Sequence, residues 1–368
     1  MSETKETVSS NAKNIDKTKA NAFMDKVFGD ITGTYISLMC CIGDRLDLFK
    51  KLEINGPATS IELSNISGTN ERYTREWLNA MASASYLQYD PSSQRFRLPP
   101  EHSPVLTQEG GSMFVAGIYQ QLLAETKNMQ KLIELFKIGG GIALKEFDDN
   151  EFEGMERMTA SWFDNALLQE WIPAVPEVKI KLENGALVAD VGCGRGRAII
   201  KLAQAFPNSR FVGYDVFEPV IRYAKSQSIS AGISDDRVSF RQFDISKGFP
   251  EEERYDLITT FDVIHDMIDP LGALKAIRNA LKPDGTYLWL EINSKDKLED
   301  NFGLFGTLFY CWSIVYCMTT SLAEGGEGLG TLGMPPSRVK EYCIKAGFRH
   351  VRMLPLDNPF NVLYEVKP

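Results

Sequence analysis

Three glycines in a short loop are the first residues whose spacing points to a chemical role. In VADVGCGRGRA, residues 188–198, Gly192, Gly194 and Gly196 follow an apolar run and precede a helical pattern. Because glycine has no Cβ, such a loop lets a ligand approach the backbone closely where a helix begins. The spacing G-x-G-x-G differs from the G-x-G-x-x-G of dinucleotide sites. Asp190, just before the loop, would repel a pyrophosphate and favours a ligand with cationic groups.

Acidic residues follow the next two apolar runs, at positions suited to a nucleoside. Asp215 ends RFVGYD about 20 residues after the glycine loop, where an acid commonly holds ribose hydroxyls. Phe243 and Asp244 follow the third run and could contact a purine ring and its exocyclic amine. Taken alone, either aspartate could instead cap the helix that follows it. Their occurrence at successive strand ends favours the ligand interpretation.

One of the three histidines lies in FDVIHDMIDP, residues 261–270, directly after another apolar run. His265 has an ordinary pKa near 6.5, which suits proton transfer at neutral pH. Two roles stay open for it: handling the proton of a bound acceptor, or making a structural hydrogen bond. Asp262, Asp266 and Asp269 could offer oxygen ligands to a metal. We expect Asp266 and Asp269 to cap the following helix instead, so no metal is predicted.

These residues must be positioned by a sheet, since each follows a short apolar run. From Gly185 onward such runs alternate with amphipathic segments, and HVRMLPL and FNVLYEV close the chain. The pattern predicts an α/β fold with a doubly wound, mostly parallel seven-stranded sheet that ends in a hairpin. The carboxyl ends of the strands in such a sheet converge on one crevice. The predicted inner strands are ALVADV, RFVGYD, VSFRQF, YDLITTF and TYLWLEI.

The part of the chain before residue 106 has a different pattern. Helical spacing over about 22–52 precedes a short helix capped by Thr59 or Ser60, a turn, a helix from about Asn70 and a hairpin. This order is that of a winged helix. Between Pro57 and Leu98, four arginines are balanced by four acids and lysine is absent. A DNA-binding surface needs an excess of cations, so nucleic acid is a disfavoured partner.

Together these motifs resemble class I S-adenosylmethionine-dependent methyltransferases. The similarity rests on DVGCGRG (190–196), on Asp215, on Phe243 with Asp244, and on YDLITTFDVIHD (255–266). Apart from the N-terminal tail, the whole chain is similar to members in which a winged-helix-like domain precedes the methyltransferase domain. The resemblance implies S-adenosylmethionine as the cofactor and transfer of its methyl group to a small-molecule acceptor.

The resemblance also implies a role for each site residue. Asp215 would bind the ribose hydroxyls, Phe243 with Asp244 the adenine, and Phe261 with Asp262 would form the floor of the site. The methionyl part would be surrounded by residues of the glycine loop and the acid before it, namely Asp190, Gly192, Cys193, Gly194 and Gly196.

HDMID (265–269) resembles the HDWSD element of small-molecule O-methyltransferases, in which the histidine is the general base. By the same comparison Glu291 would orient His265. A second glutamate of that arrangement has no counterpart here, since the region reads GTLGMPPSRV. Two acceptor classes therefore stay open: a hydroxyl, whose proton needs a base, and a thiol, which is already partly ionised near neutral pH.

The predicted division is a disordered tail over 1–20, a winged-helix-like domain over 21–105, a helical linker or cap over 106–183 and a methyltransferase domain over 184–368. The resemblance implies a homodimer formed through the N-terminal domain. The net charge of −9 also argues against a polyanion partner. Two alternatives to an enzyme are a cofactor-sensing DNA-binding regulator and a cofactor-binding scaffold without turnover.

The six cysteines form no CxxC pair, which indicates a reduced, cytosolic protein with mostly buried thiols. Residues 302–323 carry no charge, but their glycines, serines and threonines favour a buried helix over a membrane span, so no membrane partner is predicted. We expect Phe309, Tyr310, Trp312 and Tyr316 of this helix to line the pocket, with Trp162 and Phe163. The segment AEGGEGLGTLG (323–333) would be a lid or a simple loop.

Overall fold

The computed structural model describes residues 15–250 and 255–368, which form two compact units that meet in sequence at Pro99 and Pro100. Most of the stretch predicted to be a disordered tail lies outside the described residues. Residues 17–20 correct that prediction, because they form the first turn of a helix. The Asp16 side chain accepts hydrogen bonds from the backbone N–H groups of Thr18 and Lys19 and so caps this turn.

The N-terminal unit has the winged-helix order that the sequence predicts. Thr59 caps the third helix through a reciprocal pair of hydrogen bonds with Glu62, and Asn70 caps the fourth. The indole of Trp77 donates to the carbonyl of Met39 at 2.8 Å, joining the fourth helix to the first. The elements are α1 (Lys17–Arg45), α2 (Leu48–Asn55), α3 (Ser60–Ser67), α4 (Glu71–Ser83), β1 (Gln88–Asp90) and β2 (Arg95–Arg97).

Three arginines of this unit are paired with its own acids. Arg72 and Arg75 form ion pairs with acids four positions away along α4, at 2.5 Å and 3.3 Å. Arg95 contacts Glu62 at 2.6 Å. Each of these positive charges is therefore balanced by a neighbouring acid. That the unit does not bind DNA stays a prediction.

Helices open the second unit. α6 and α8 touch along glycines, since a Cβ at Gly117 would lie 2.5 Å from the carbonyl oxygen of Gly154. A π-helical segment, Phe163–Trp171, continues α8, and Pro176 begins the next helix after a turn. The helices before the sheet are α5 (Ser103–Leu106), α6 (Gly117–Lys127), α7 (Met129–Ile138), α8 (Asp149–Trp162) and α9 (Pro176–Asn184).

The sheet of this unit confirms the predicted fold class. Its seven strands lie in the order β5-β4-β3-β6-β7-β9-β8, with parallel pairs up to β7 and antiparallel pairs for the last two strands. The strands are β3 (Leu187–Val191), β4 (Arg210–Asp215), β5 (Val238–Gln242), β6 (Tyr255–Phe261), β7 (Leu281–Ile292), β8 (His350–Leu354) and β9 (Asn361–Lys367). The order of connection reverses between β3 and β6, which is where open α/β sheets bind ligands.

Helices cover both faces of the sheet, as doubly wound folds require. Ile199 and Leu202 belong to the buried cluster on one face, and Ile277 and Val339 to that on the other. These helices are α10 (Arg197–Ala205), α11 (Glu218–Ser230), α12 (Pro270–Ala280) and α15 (Pro336–Ala346).

The charge-free segment 302–323 is only partly buried, which corrects its prediction as a buried helix. It comprises α13 (Leu304–Trp312), a π turn (Ser313–Cys317) and α14 (Met318–Ala323). Leu304 is 79% exposed, whereas Cys317 and Thr319 are buried. Burial increases towards the end of the segment, where the hydroxyl and carbonyl of buried Thr319 accept from the N–H of Ile142. Across the described ranges, every helix is too short or too polar to cross a membrane.

Candidate functional site

The glycine loop turns sharply between β3 and α10. Gly192, Gly194 and Gly196 all have positive φ angles, of 70°, 51° and 82°. A Cβ at Gly192 would lie 2.3 Å from Val263, and one at Gly196 would lie 2.8 Å from the ring of Phe240. A Cβ at Gly194 would meet no described atom within 4 Å. At Gly192 and Gly196 the groups that approach the backbone closely are therefore protein side chains. Only Gly194 of the three leaves open space for a ligand.

Asp190 lies beneath this loop and is almost fully buried. Its carboxylate accepts a hydrogen bond from Thr259 Oγ1 of β6 at 2.6 Å, in the register that pairs the two residues. Burial raises the pKa of Asp190 to about 7, and the nearby charge of Asp215 adds to the shift. A cation bound close by would favour the ionised form.

Asp215 ends β4 and holds the tip of the glycine loop. Its two carboxylate oxygens accept from the backbone N–H groups of Gly194 at 3.0 Å and of Phe217 at 2.9 Å. Burial raises the pKa of Asp215, although these N–H groups oppose the shift. The neighbouring Cys193 is buried, and burial raises the pKa of its thiol, so this side chain is neutral near pH 7.

Phe243 and Asp244 follow β5 as predicted, but Asp244 has local partners. It accepts hydrogen bonds from the N–H and hydroxyl of Ser246 and contacts Lys247 at 3.1 Å. Burial opposes ionisation, but these contacts lower the pKa of Asp244. The capping role that the sequence left open for this residue is thus present, and contact of Phe243 and Asp244 with a purine stays a prediction.

Phe261 and Asp262, at the end of β6, are held by two different sets of contacts. Phe261 packs edge-on against Phe163 and at a tilt against Trp171, with ring centroids 5.3 Å and 5.6 Å apart. Asp262 has φ of 53°, and both of its carboxylate oxygens accept from Asn361 Nδ2, at 2.6 and 2.8 Å. A non-glycine residue in this left-handed conformation is strained and needs such support. Burial raises the pKa of Asp262 to about 7.

His265 and Glu291 form a buried pair between β6 and β7. His265 is 2% exposed, and its Nδ1 lies 2.5 Å from Glu291 Oε1. Glu291 also accepts from the indole of Trp289 and from the N–H of Ile292. A hydrogen bond from Nδ1 to a carboxylate leaves Nε2 as the nitrogen that exchanges a proton with a ligand. Burial alone would lower the pKa of His265, but the charges of Glu291 and Asp266 raise it well above its ordinary value.

Two residues that the sequence did not place in the site lie beside Nε2. Asp266 Oδ1 is 3.2 Å from Nε2, and Cys317 belongs to the same cluster. Asp269 caps α12 through the N–H of Gly272, as predicted, but the expected cap by Asp266 is wrong, because its carboxylate turns towards His265. The sequence offered Asp266 only as a possible metal ligand or helix cap, and it offered no signal for Cys317.

The glycine-rich segment 323–333 is tied to the loop that carries His265. Ser321 Oγ donates to the carbonyl of Met267 at 3.0 Å, and the N–H of Glu327 donates to the carbonyl of Ile268. Thr331 Oγ1 donates to Cys317 Sγ at 2.9 Å. Of the two options for this segment, these contacts favour a structural loop over a freely moving lid.

The predicted aromatic residues separate into two groups. Phe309 contacts Trp312 and Phe360, each with ring centroids 6.0 Å apart, and Trp162 lies 6.1 Å from the same Phe360. Tyr310 is partly exposed. Tyr316 contacts Phe147 on another side, at 5.2 Å. Their assignment to a pocket wall stays a prediction.

A buried carboxyl pair on α6 and α8 was also missed. Glu151 is fully buried, with one oxygen accepting from Gln121 Nε2 at 3.1 Å. Burial raises the pKa of Glu151 to about 8 and that of Glu125 to about 7. Burial raises the pKa of Tyr316 well above its ordinary value, and the nearby carboxyl groups of Glu151, Asp266 and Asp215 add to this shift when ionised. Sequence gave no signal, because acidic residues on helices are usually exposed.

Comparison with known proteins identifies both parts of the chain. Residues 182–314 match the family described as "Methyltransferase domain", and residues 34–108 match the "Rv2258c-like winged HTH domain". The chain therefore contains a methyltransferase domain preceded by a winged helix-turn-helix domain, as the resemblance implied.

Curated relatives and solved structures agree with this assignment. The chain is 26% identical over 163 residues to a ubiquinone biosynthesis O-methyltransferase of Actinobacillus pleuropneumoniae, covering 41% of this chain and 67% of the relative. It superimposes on human N-acetylserotonin methyltransferase in complex with S-adenosylmethionine with a TM-score of 0.67 at 17% identity, over 96% and 99% of the two chains. It superimposes on the mitomycin 7-O-methyltransferase MmcR with a TM-score of 0.63 at 19% identity, over 95% of this chain and 100% of MmcR. At these identities the structural similarity establishes the fold.

The chain carries a methyltransferase domain, and its structural relatives include a methyltransferase in complex with S-adenosylmethionine. The loop at the reversal between β3 and β6 fits this cofactor, since open space lies at Gly194 and the Asp215 carboxylate stands beside it. The buried acid Asp190 suits a cationic ligand and not a pyrophosphate.

Proposed function

We propose that this enzyme methylates a hydroxyl group of a small molecule, with His265 as the general base. The observation that carries the proposal is the buried contact of His265 Nδ1 with Glu291 at 2.5 Å. It fixes the imidazole orientation and leaves Nε2 to accept the hydroxyl proton. The sequence relative is an O-methyltransferase, which supports a hydroxyl over a thiol.

The cofactor would be held by the residues at the strand ends. Asp215 would accept hydrogen bonds from the ribose hydroxyls, and Phe243 with Asp244 would contact the adenine. Asp190, Cys193 and the loop glycines would surround the methionyl part. When bound, S-adenosylmethionine supplies an electrophilic methyl group on a sulfonium. The task left to the protein is to align the acceptor, to exclude water and to remove the acceptor proton.

The raised pKa of His265 determines when it can act. Two carboxylates favour its protonated form, so the basic form becomes abundant only at a higher pH than for an ordinary histidine. Its basic form becomes more abundant as the pH rises. We therefore propose that acceptor methylation speeds up with pH beyond the ordinary histidine range.

The test measures S-adenosylhomocysteine formation by the purified full chain with matched pairs of acceptors. Each pair shares one carbon skeleton and carries either a phenol or a thiophenol group. Turnover of the phenols, with a rate that rises with pH, is the expected result. Turnover of the thiols alone would contradict a hydroxyl acceptor and leave His265 without a proton to remove.

We also propose that α1 mediates association with a second copy of the chain. It carries a stripe of exposed apolar side chains at helical spacing, namely Phe23, Val27, Phe28, Ile31 and Tyr35. Contiguous exposed apolar surface of this kind marks interaction sites. The partner is taken to be a second copy because the resemblance implies a homodimer.

Sedimentation measurements of the full chain test this association. We expect the wild type to have twice the monomer mass and Phe28→Glu to shift it towards the monomer. Tyr73→Glu, at an 81% exposed apolar position on α4, is the matched control and should keep the dimer mass. A monomeric wild type, or equal effects of both changes, would contradict the proposal.

A further inference from the structure

Three side chains of the kinds that bind metals meet beside Glu291. A ring nitrogen of His265, a carboxylate oxygen of Asp266 and Sγ of Cys317 all lie within 4.8 Å of one another. His265 and Asp266 follow β6, whereas Cys317 ends the π turn more than 50 residues later. Among the residues that the structure describes, this is the one such group of three.

We propose that His265, Asp266 and Cys317 form a binding site for a thiophilic divalent cation such as Zn²⁺. Imidazole, carboxylate and thiolate are the ligands that zinc binds in proteins, and three of them leave a fourth position for water. Zinc bonds of about 2.0–2.3 Å place tetrahedral ligands roughly 3.3–3.8 Å apart. His265 Nε2 and Asp266 Oδ1 are already 3.2 Å apart, and a separation at the 4.8 Å limit of the cluster would contract by about 1 Å around the ion.

The surroundings of two ligands resemble those of established metal sites. A metal-bound histidine usually donates its other ring N–H to a carboxylate, which fixes its orientation. Glu291 is in that position at 2.5 Å from Nδ1, and it is itself held by Trp289. Thr331 Oγ1 donates to Cys317 Sγ at 2.9 Å, a contact that would stabilise a thiolate.

The third ligand has an oxygen whose bonding is incomplete. Asp266 Oδ1 is buried and has no well-oriented hydrogen-bond donor among the described residues, and its contact with His265 Nε2 is an ion-pair distance of 3.2 Å. Buried polar atoms are nearly always satisfied by a partner. A cation between these side chains would provide that partner and balance the charge of the carboxylate.

Occupation of this site should inhibit methylation of a hydroxyl. The ion would bind the lone pair of Nε2, which is the pair that accepts the acceptor proton. This consequence rests on the proposed function, whereas metal binding itself does not. A chelator should restore the rate.

The experiment titrates the full chain with Co²⁺ as a spectroscopic probe and with Zn²⁺ by calorimetry. We expect one ion per chain and a thiolate-to-cobalt absorption band. Cys317→Ser should remove the band and weaken Zn²⁺ binding by at least about 100-fold, and Glu291→Gln should weaken it about 10–100-fold. Cys311→Ser is the matched control, because Cys311 is exposed and outside the cluster. Asp266→Asn is a second ligand variant, and thermal unfolding in chelator verifies that each variant folds.

Absence of the band, or equal Zn²⁺ affinity in Cys317→Ser and the wild type, would overturn the metal site. If the chain binds no metal here, the rates with phenol and thiophenol acceptors still test the proposed function independently. Tight Zn²⁺ binding with an unchanged methylation rate would overturn the inhibition and the role of His265 as base, while the site itself would stand.

Discussion

Replacing His265 by alanine is expected to lower kcat/KM for a phenolic acceptor by about 10²–10⁴-fold, the usual contribution of a general base. The loss should be in kcat, since the imidazole acts on the proton that leaves during methyl transfer. With a thiol of the same skeleton the loss should be small, because a thiol ionises near neutral pH without assistance. Steady-state kinetics with both acceptors provide the measurement.

The pH profile distinguishes a base from a structural histidine. The carboxylates of Glu291 and Asp266 raise the pKa of His265, so the wild-type rate should still be rising with pH above 6.5. In His265→Ala this dependence should disappear together with most of the rate. His350→Ala, at an exposed histidine of β8, is the matched control and should behave as the wild type. Equal losses with phenol and thiol would assign His265 to packing.

Asp215→Asn is expected to weaken binding of S-adenosylhomocysteine by about 10²-fold. The carboxylate would accept charge-assisted hydrogen bonds from the ribose, each worth about 1.5–3 kcal/mol. The amide has only one acceptor oxygen, so it cannot accept on separate oxygens from the N–H groups of Gly194 and Phe217, as the carboxylate does at 3.0 and 2.9 Å. Calorimetry with S-adenosylhomocysteine measures this loss, and the product lacks the sulfonium charge, so the value reports on the nucleoside contacts.

Two comparisons separate this effect from a loss of fold. Asp235→Asn, at an exposed aspartate after α11, should leave the affinity unchanged. His265→Ala should also bind the product normally, whereas Asp215→Asn should retain kcat when the cofactor is saturating. An affinity of Asp215→Asn within twofold of the wild type would remove this residue from the cofactor site.

The second glutamate of the O-methyltransferase arrangement is absent from this chain, and other residues lie beside the histidine instead. Where GTLGMPPSRV offers no acid, Thr331 of this segment contacts Cys317, and Cys317 with Asp266 occupies the space beside Nε2. The imidazole is thus flanked by Glu291 on one nitrogen and by Asp266 on the other. This arrangement accounts for its raised pKa and for the ligand geometry that we assign to a cation.

The sequence by itself determined the elements and the order of the fold. Alternating apolar runs located the sheet strands and the final hairpin, and the cap residues Thr59 and Asn70 located the helices of the winged helix. These features are local, because capping and the periodicity of apolar residues involve neighbours along the chain. The positions of Asp190, Asp215 and His265 at strand ends followed from the same patterns.

Only the tertiary structure decided what each side chain contacts. Asp266 was expected to cap a helix and instead faces His265, and Cys317 reaches the same cluster from a π turn far along the chain. Glu151 is buried on α8, although acidic residues on helices are usually exposed. The ionisation of such groups depends on burial and on charges brought close by packing. The local sequence pattern shows neither the burial of a side chain nor the charges that packing brings near it. The raised pKa of His265 could therefore be derived only from the folded structure.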